Sequence, residues 1–266
     1  MSGAREVNQK RTDTLNYYIR PQTFPVAVKM CESLEGLPES VKRPRKDFGY
    51  RISGCQGISM ARKYGWNVAM SKDDLFCAGM IIMGFVKPGE YFSGRLWMDG
   101  GYAETLEGAK RTSETILRFE YGKYQAVLFA PLFRADFEPD GVMIYGNPAQ
   151  MVRLVQAALY KEGGILTSVS NGVSDCAQSV VRPVLSGECQ VVLSGIGNRI
   201  YAATEKDEMC FSIPSPKMDN VLEGLKQGHA KGLRYPIPTV AAYKNSNLAA
   251  LYGPMFDESG IPPEER

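Results

Sequence analysis

Asp140-Gly-Val-Met-Ile-Tyr145-Gly-Asn147-Pro148-Ala-Gln150-Met-Val-Arg-Leu-Val155-Gln-Ala-Ala-Leu159 is the stretch whose reading decides the fold class. Val142 to Tyr145 is a β-branched and aromatic run bounded by glycines, and it reads as a strand. Asn147 followed by Pro148 reads as a helix start. Asparagine accepts amide hydrogen bonds as an N-cap, and proline's fixed φ suits the first turn, where its missing N–H is not needed. Met151, Val155 and Leu159, with Val152 and Ala158 beside them, lay an apolar stripe along that helix. A strand running directly into an amphipathic helix predicts helices packed on a sheet, of α/β or α+β class.

The same reading extends in both directions. Glu6 to Ile19 predicts a polar helix stopped by Pro21, and Pro25 to Met30 alternates like a strand. Basic, proline-bearing Lys42 to Phe48 reads as a loop. Gly54 to Tyr64 reads as a helix ended by Gly65, Met80 to Val86 as a buried strand, Glu104 to Phe119 as an amphipathic helix and Tyr124 to Phe129 as a strand. Gly94 to Gly101, with Trp97, reads as a glycine-rich hairpin or as a pocket lining with an aromatic wall. Beyond Leu159, Ser174 to Leu185 predicts a helix stopped by Gly187. Cys189 to Leu193, Arg199 to Ala203 and Met209 to Ile213 predict strands. Ser215-Pro216 opens a last helix to about Gly228. From Pro236 the chain is punctuated by proline and glycine and reads as an extended arm.

Two segments echo each other. The first is Ser53-Gly-Cys55-Gln56, a helix, then Phe76-Cys77-Ala-Gly79. The second is Ser174-Asp-Cys176-Ala-Gln178, a helix, then Ser194-Gly195-Ile-Gly197. Cys55 precedes Cys77 by 22 residues, and Cys176 precedes Gly195 by 19. The echo predicts two related strand–helix–strand halves sharing a mixed sheet with flanking helices. Residues 1–139 carry the Cys55/Cys77 unit, residues 140–235 the Cys176/Arg199 unit, and residues 236–266 the arm.

The composition narrows the function classes. Net charge is +2, from 31 basic and 29 acidic side chains, so no long-range field pulls the chain toward nucleic acid or an anionic membrane. No apolar run approaches the roughly 18 to 20 residues of a membrane span. Met1 to Lys10 is polar and lacks the apolar core of a secretory signal, so the cytoplasm is the expected location. The six cysteines are then expected as reduced thiols. His229 is the only histidine, which nearly excludes sites built on two imidazoles. No phosphate-binding loop occurs, and Gly195-Ile-Gly197 lacks the third glycine of a dinucleotide fingerprint, so there is no nucleotide cofactor signal.

Cys55 and Cys176 fall in the first turn of their helices, where the dipole favours thiolate over thiol. Cys55, Cys77 and Cys176 therefore admit two readings. They are ligands of an iron–sulfur cluster or a soft metal, or they are small side chains of the core. Cys31, Cys189 and Cys210, in or beside apolar strands, read as core. Gln56, Gly79, Gly197 and Arg199 are the candidate ligand-binding residues. The glycines allow close approach to the backbone, and Arg199 offers a fixed charge to an anion or forms an ion pair with Glu208.

The order of Pro25-Val-Ala-Val-Lys29, Cys55-Gln56 with Ala61-Arg62, Asp74-Leu-Phe-Cys77-Ala-Gly79, Asp140 to Tyr145 with Pro148-Ala-Gln150, and Gly197-Asn-Arg199 with Glu208-Met209 and Ile213-Pro214 resembles the family named domain of unknown function 169. The resemblance covers about residues 25 to 225. It implies a shared fold and set of positions, without an assigned reaction. Members often carry Pro-Cys just before the Gly-x-Arg, where this chain has Ser194-Gly195, so one sulfur of the family pattern is missing here.

Three functions remain open. One is a redox or metal protein with its centre on Cys55, Cys77 and Cys176 at the interface of the two halves. Another is an enzyme for a small anionic substrate, with Cys55 or Cys77 as nucleophile and Arg199 as anchor. The third is a non-catalytic subunit that holds a partner protein or a second copy of itself.

Overall fold

The computed structural model describes residues 3–238 and 249–260. Along the chain come α1 (Gly3–Tyr18), β1 (Val26–Cys31), α2 (Pro44–Asp47), α3 (Gly54–Tyr64), β2 (Val68–Ser71), α4 (Gly79–Ile82), α5 (Leu96–Asp99), α6 (Leu106–Glu114) and β3 (Ala126–Pro131). They are followed by β4 (Gly141–Gly146), α7 (Pro148–Leu159), α8 (Arg182–Ser186), β5 (Gln190–Val192), α9 (Ile196–Tyr201), β6 (Met209–Pro214), α10 (Met218–Ala230) and α11 (Gly253–Glu258).

The strands form one sheet in the order β2-β3-β1-β4-β6-β5. Helices pack on both faces. Each named pairing is antiparallel, so the expected mixed sheet is an antiparallel one, and among the described residues parallel pairing is confined to two isolated bridges, Lys42 with Val68 and Ile52 with Leu75. The expected helix-on-sheet class holds in its α+β form. In residues 1–139 the first strand is central, the second at the edge and the third between them. Residues 140–235 repeat that order. The two sets meet where β1 and β4 pair, with Val26 opposite Met143.

Alternation along the strands divides the core. Val26, Val28, Met30, Val127, Phe129, Met143 and Tyr145 face one side, under α3. Ala27, Ala130, Val142, Ile144, Phe211 and Ile213 face the other, under α1, α7 and α10. This two-residue period is what a sheet covered on both faces requires.

Two helix starts are built as the sequence predicts. Ser53 and Gln56 form a reciprocal capping box on α3, and Asn147 and Gln150 form the same device on α7. The amide of Gly65, in the left-handed conformation, closes α3 on the Met60 carbonyl.

Several expectations are corrected. Met80 to Val86 is not a strand. Its apolar side chains are buried by the single turn of α4, and Gly84, at φ +79°, passes so close to the Glu120 carbonyl that a Cβ would lie 2.6 Å from it. A short apolar run has no periodicity to separate strand from buried helix. Arg199 to Ala203 is not a strand either: α9 begins at Ile196 and runs to Tyr201. The run after Ser174 is helical but widens to a π-type turn over Ala177–Val181 before α8. Pro183 contributes no N–H there, and a π turn accommodates the lost bond. Gly94 to Gly101 is a helical segment rather than a hairpin, and Lys42 to Phe48 contains the one turn of α2. Strand β2 has no counterpart in the sequence reading. The arm lies partly outside the described residues; of its described part, Leu251, Tyr252 and Met255 are exposed.

Candidate functional site

Cys55, Cys77 and Cys176 line one cavity of about 130 Å3, with Gly79, Gly197, Asp175, Trp97 and Tyr201 also on its wall. Residues separated by more than a hundred positions meet because α3, the Cys77–α4 turn, the helix start at Ser174 and the start of α9 converge above one face of the sheet.

What holds them is visible in α3. Ser59 donates to the carbonyl of Ala202 at 2.9 Å, Lys63 donates to the carbonyl of Ala203, and Arg62 donates to both carboxylate oxygens of Glu208 at 3.0 and 2.9 Å. The guanidinium of Arg62 is fully buried and lies 4.1 Å from the ring centre of Tyr145. Helix α3 is therefore strapped to the 202–208 connection of the second half, and its first turn carries Cys55 into the cavity.

Asp175 builds the facing wall. Its carboxylate accepts from the Gly195 amide at 2.8 Å and from the Asn198 side-chain amide. It thus pins the start of α9, reaching from 20 residues earlier. Burial raises the Asp175 pKa, opposed by the Gly195 and Asn198 hydrogen bonds and the charge of Arg199.

Each sulfur has a local environment. The Gly54 amide donates to Cys77 Sγ at 3.4 Å, and Cys176 Sγ lies 3.8 Å from Ser174 Oγ. Burial, then the nearby Cys176, Asp175 and Cys77, push the Cys55 thiol well above its ordinary value. Burial and Cys77 push Cys176 up to about 12, against the Ser174 hydrogen bond. This corrects the expectation that the helix starts favour thiolate: loss of water outweighs the half-charge of a helix end. Among the described residues, no three His, Cys, Asp or Glu side chains are grouped so as to hold a metal ion.

The other expected residues divide. Gly79 and Gly197 do line the cavity, and a Cβ on Gly197 would sit 3.7 Å from Cys55 Sγ. Gln56 is spent on the capping box. Arg199 lies outside the lining; it donates to the carbonyls of Ser194, Glu205 and Glu208. Glu208 pairs with Arg62, not with Arg199. Cys189 and Cys210 are buried in the core, Cys31 is partly buried at the end of β1, and all six cysteines are free thiols. Sequence reasoning missed Asp175, whereas the aromatic wall that Gly94 to Gly101 offered is supplied by Trp97. Trp97 is buried, and its indole N–H has no partner among the described residues. The acid between Ser174 and Cys176 was the available signal for Asp175.

Among the described residues, no helix is long and apolar enough to cross a membrane. No solved structure matches the chain. A curated relative, an uncharacterized protein of Methanocaldococcus jannaschii, is 30% identical over 205 residues, covering 76% of this chain and 86% of the relative. The model of domain of unknown function 169, described as "Uncharacterised ArCR", matches residues 14–224. That span takes in the whole sheet and all three cavity cysteines, and the chain belongs to this family.

Proposed function

We propose that the cavity shared by Cys55, Cys77 and Cys176 is the functional centre, and that it takes a soft metal ion or an iron–sulfur cluster in a redox- or metal-linked role. The observation that carries this reading is the convergence of three thiols from three separate segments on one cavity of about 130 Å3. Thiol sulfur is the donor type that selects soft metals and clusters. The glycines beside the sulfurs leave the metal side of the cavity free of side-chain bulk.

The raised thiol pKa values fit such a site before loading. Two partly buried thiols near a carboxylate stay protonated until a cation supplies the opposing charge, and binding then releases their protons. The rise at Cys55 argues against Cys55 as a nucleophile, because a thiol raised well above its ordinary value carries little thiolate at neutral pH. Arg199 is committed to backbone carbonyls, so it gives no support to that reading as an anion anchor. The sulfurs do not stand as a closed ligand set, so loading includes rotation of the cysteine side chains. A cytoplasmic location, with its reducing poise, suits the free thiols.

Anaerobic purification tests the proposal. Iron and acid-labile sulfide, or zinc or copper, in at least half-stoichiometric amount, lost on Cys55→Ser and Cys176→Ser substitution, is the expected result. Metal-free protein that also fails to take up iron, sulfide, zinc or copper on anaerobic reconstitution would overturn it.

A further inference from the structure

We infer that a second cavity, of about 700 Å3, binds a small organic anion that also carries a hydrogen-bond donor. The two cavities share a stretch of chain. Val173, Ser174, Asp175 and Cys176 face the thiols, whereas Asn171, Ala177, Gln178 and Arg182 face the larger space. Its volume falls within the range of small-molecule sites, roughly 300–1,000 Å3.

The lining contains two cations, Arg111 and Arg182, and no carboxylate. Arg111 is already engaged, donating to Glu107 one helical turn away at 2.8 Å on the surface. Arg182 is half-buried, and its guanidinium has no hydrogen bond or ion pair among the described residues. A half-buried guanidinium has five donors in a planar fork and pairs best with a carboxylate or phosphate.

The second feature is independent of charge. Gln178 is only 4% exposed. Its Nε2 donates to Asn171 Oδ1 at 2.8 Å, which leaves Oε1 as a buried acceptor without a partner. Buried acceptors are nearly always satisfied, so a ligand hydroxyl or amine is the missing donor. The Thr112 and Thr115 hydroxyls donate to the Gly108 and Thr112 carbonyls, and Leu117, Val169 and Ala103 offer apolar wall to a carbon skeleton. The class of ligand is thus a hydroxy- or amino-bearing carboxylate or phosphate ester. The assignment rests on no metal in the thiol cavity.

Calorimetric titration of the full chain at low ionic strength, with malate, 3-phosphoglycerate and salicylate as probes, tests it. At least one should bind with Kd below about 1 mM, the range a few charge-assisted hydrogen bonds support. Arg182→Gln should weaken that probe at least tenfold and Arg111→Gln less, because Arg111 already has a partner. Gln178→Leu should weaken the hydroxyl-bearing probe but not its hydroxyl-free counterpart, succinate for malate. No binding of any probe at 10 mM (a concentration about tenfold above the expected Kd), or equal affinity in a folded Arg182→Gln variant, overturns the assignment. Titrating the Cys55→Ser protein in parallel separates this outcome from failure of the metal reading: the anion site predicts unchanged affinity there.

Discussion

Truncating Glu208 to alanine would strip the buried Arg62 guanidinium of its counter-charge. Arg62 is fully buried, and the Glu208 side chain keeps 11% exposure. Two unit charges about 4 Å apart interact by about 4 kcal/mol at an effective dielectric near 20. Removing one partner of a buried pair costs about 3–5 kcal/mol, because the other charge stays behind uncompensated. At about 2–4 °C per kcal/mol for a chain of this size, the expected loss is roughly 6–20 °C in Tm. Scanning calorimetry at pH 7 on wild type, Glu208→Ala, Arg62→Met and the double variant measures it. The double variant should lie closer to wild type than Glu208→Ala alone, since no unpaired charge remains in it.

The pH dependence of that pair has a definite sign. Burial pushes the Glu208 carboxyl up, but the Arg62 hydrogen bonds, the Glu205 amide and the charges of Arg62 and Lys63 outweigh it and hold the pKa low. A carboxyl whose folded pKa lies below its unfolded value, about 4.3, stabilises fully above that value. Its contribution is lost as pH falls through the lower folded value. The gap between wild type and Glu208→Gln should therefore narrow below about pH 4. A Tm loss under about 2 °C for Glu208→Ala, or a gap to Glu208→Gln equal at pH 3 and pH 7, would refute the reasoning.

Other outcomes follow from particular contacts. A Cβ on Gly224 would lie 2.2 Å from the Ala157 carbonyl oxygen, so Gly224→Ala should destabilise by about 2 kcal/mol or more in urea unfolding despite alanine's better helix propensity; a more stable variant would contradict the α7–α10 contact. Gln150 serves its capping box and also donates to the carbonyls of Ile19 and Arg20, whereas Gln56 serves only its box. Gln150→Ala should therefore cost about 1–2 kcal/mol more than Gln56→Ala, and equal costs would count against those bonds. Native metal-free protein should leave Cys55 and Cys176 unalkylated by iodoacetamide at pH 7.5 while urea-unfolded chain reacts, because burial raises both thiols. Rapid native labelling mapped to either residue by mass spectrometry would show a thiolate instead.

Local sequence determined the elements whose ends are set by neighbouring residues. Ser53 with Gln56, Asn147 with Gln150, and Gly65 each act within a few positions, so the bounds of α3 and the start of α7 were legible. The pairing of Cys55 with Cys77 and Cys176 on one cavity was legible as a pattern, through the repeated Ser-x-Cys helix starts. Tertiary structure decided the rest. Helix α9 has six residues, too few to be stable alone. Asp175, far back in the chain, holds its start through the Gly195 amide and the Asn198 side chain, and an acid in the sequence does not say which distant amide it will meet. Met80 to Val86 carries enough apolar surface for a buried strand or a buried helical turn. Gly84 and the nearby backbone of Glu120 select the turn. The charge state of the thiols is the clearest case. A helix start taken by itself argues for thiolate, but the surrounding chain strips much of the water from the sulfur and brings a carboxylate and two further sulfurs close. Desolvation scales with what surrounds a group in space, and only the folded chain specifies that.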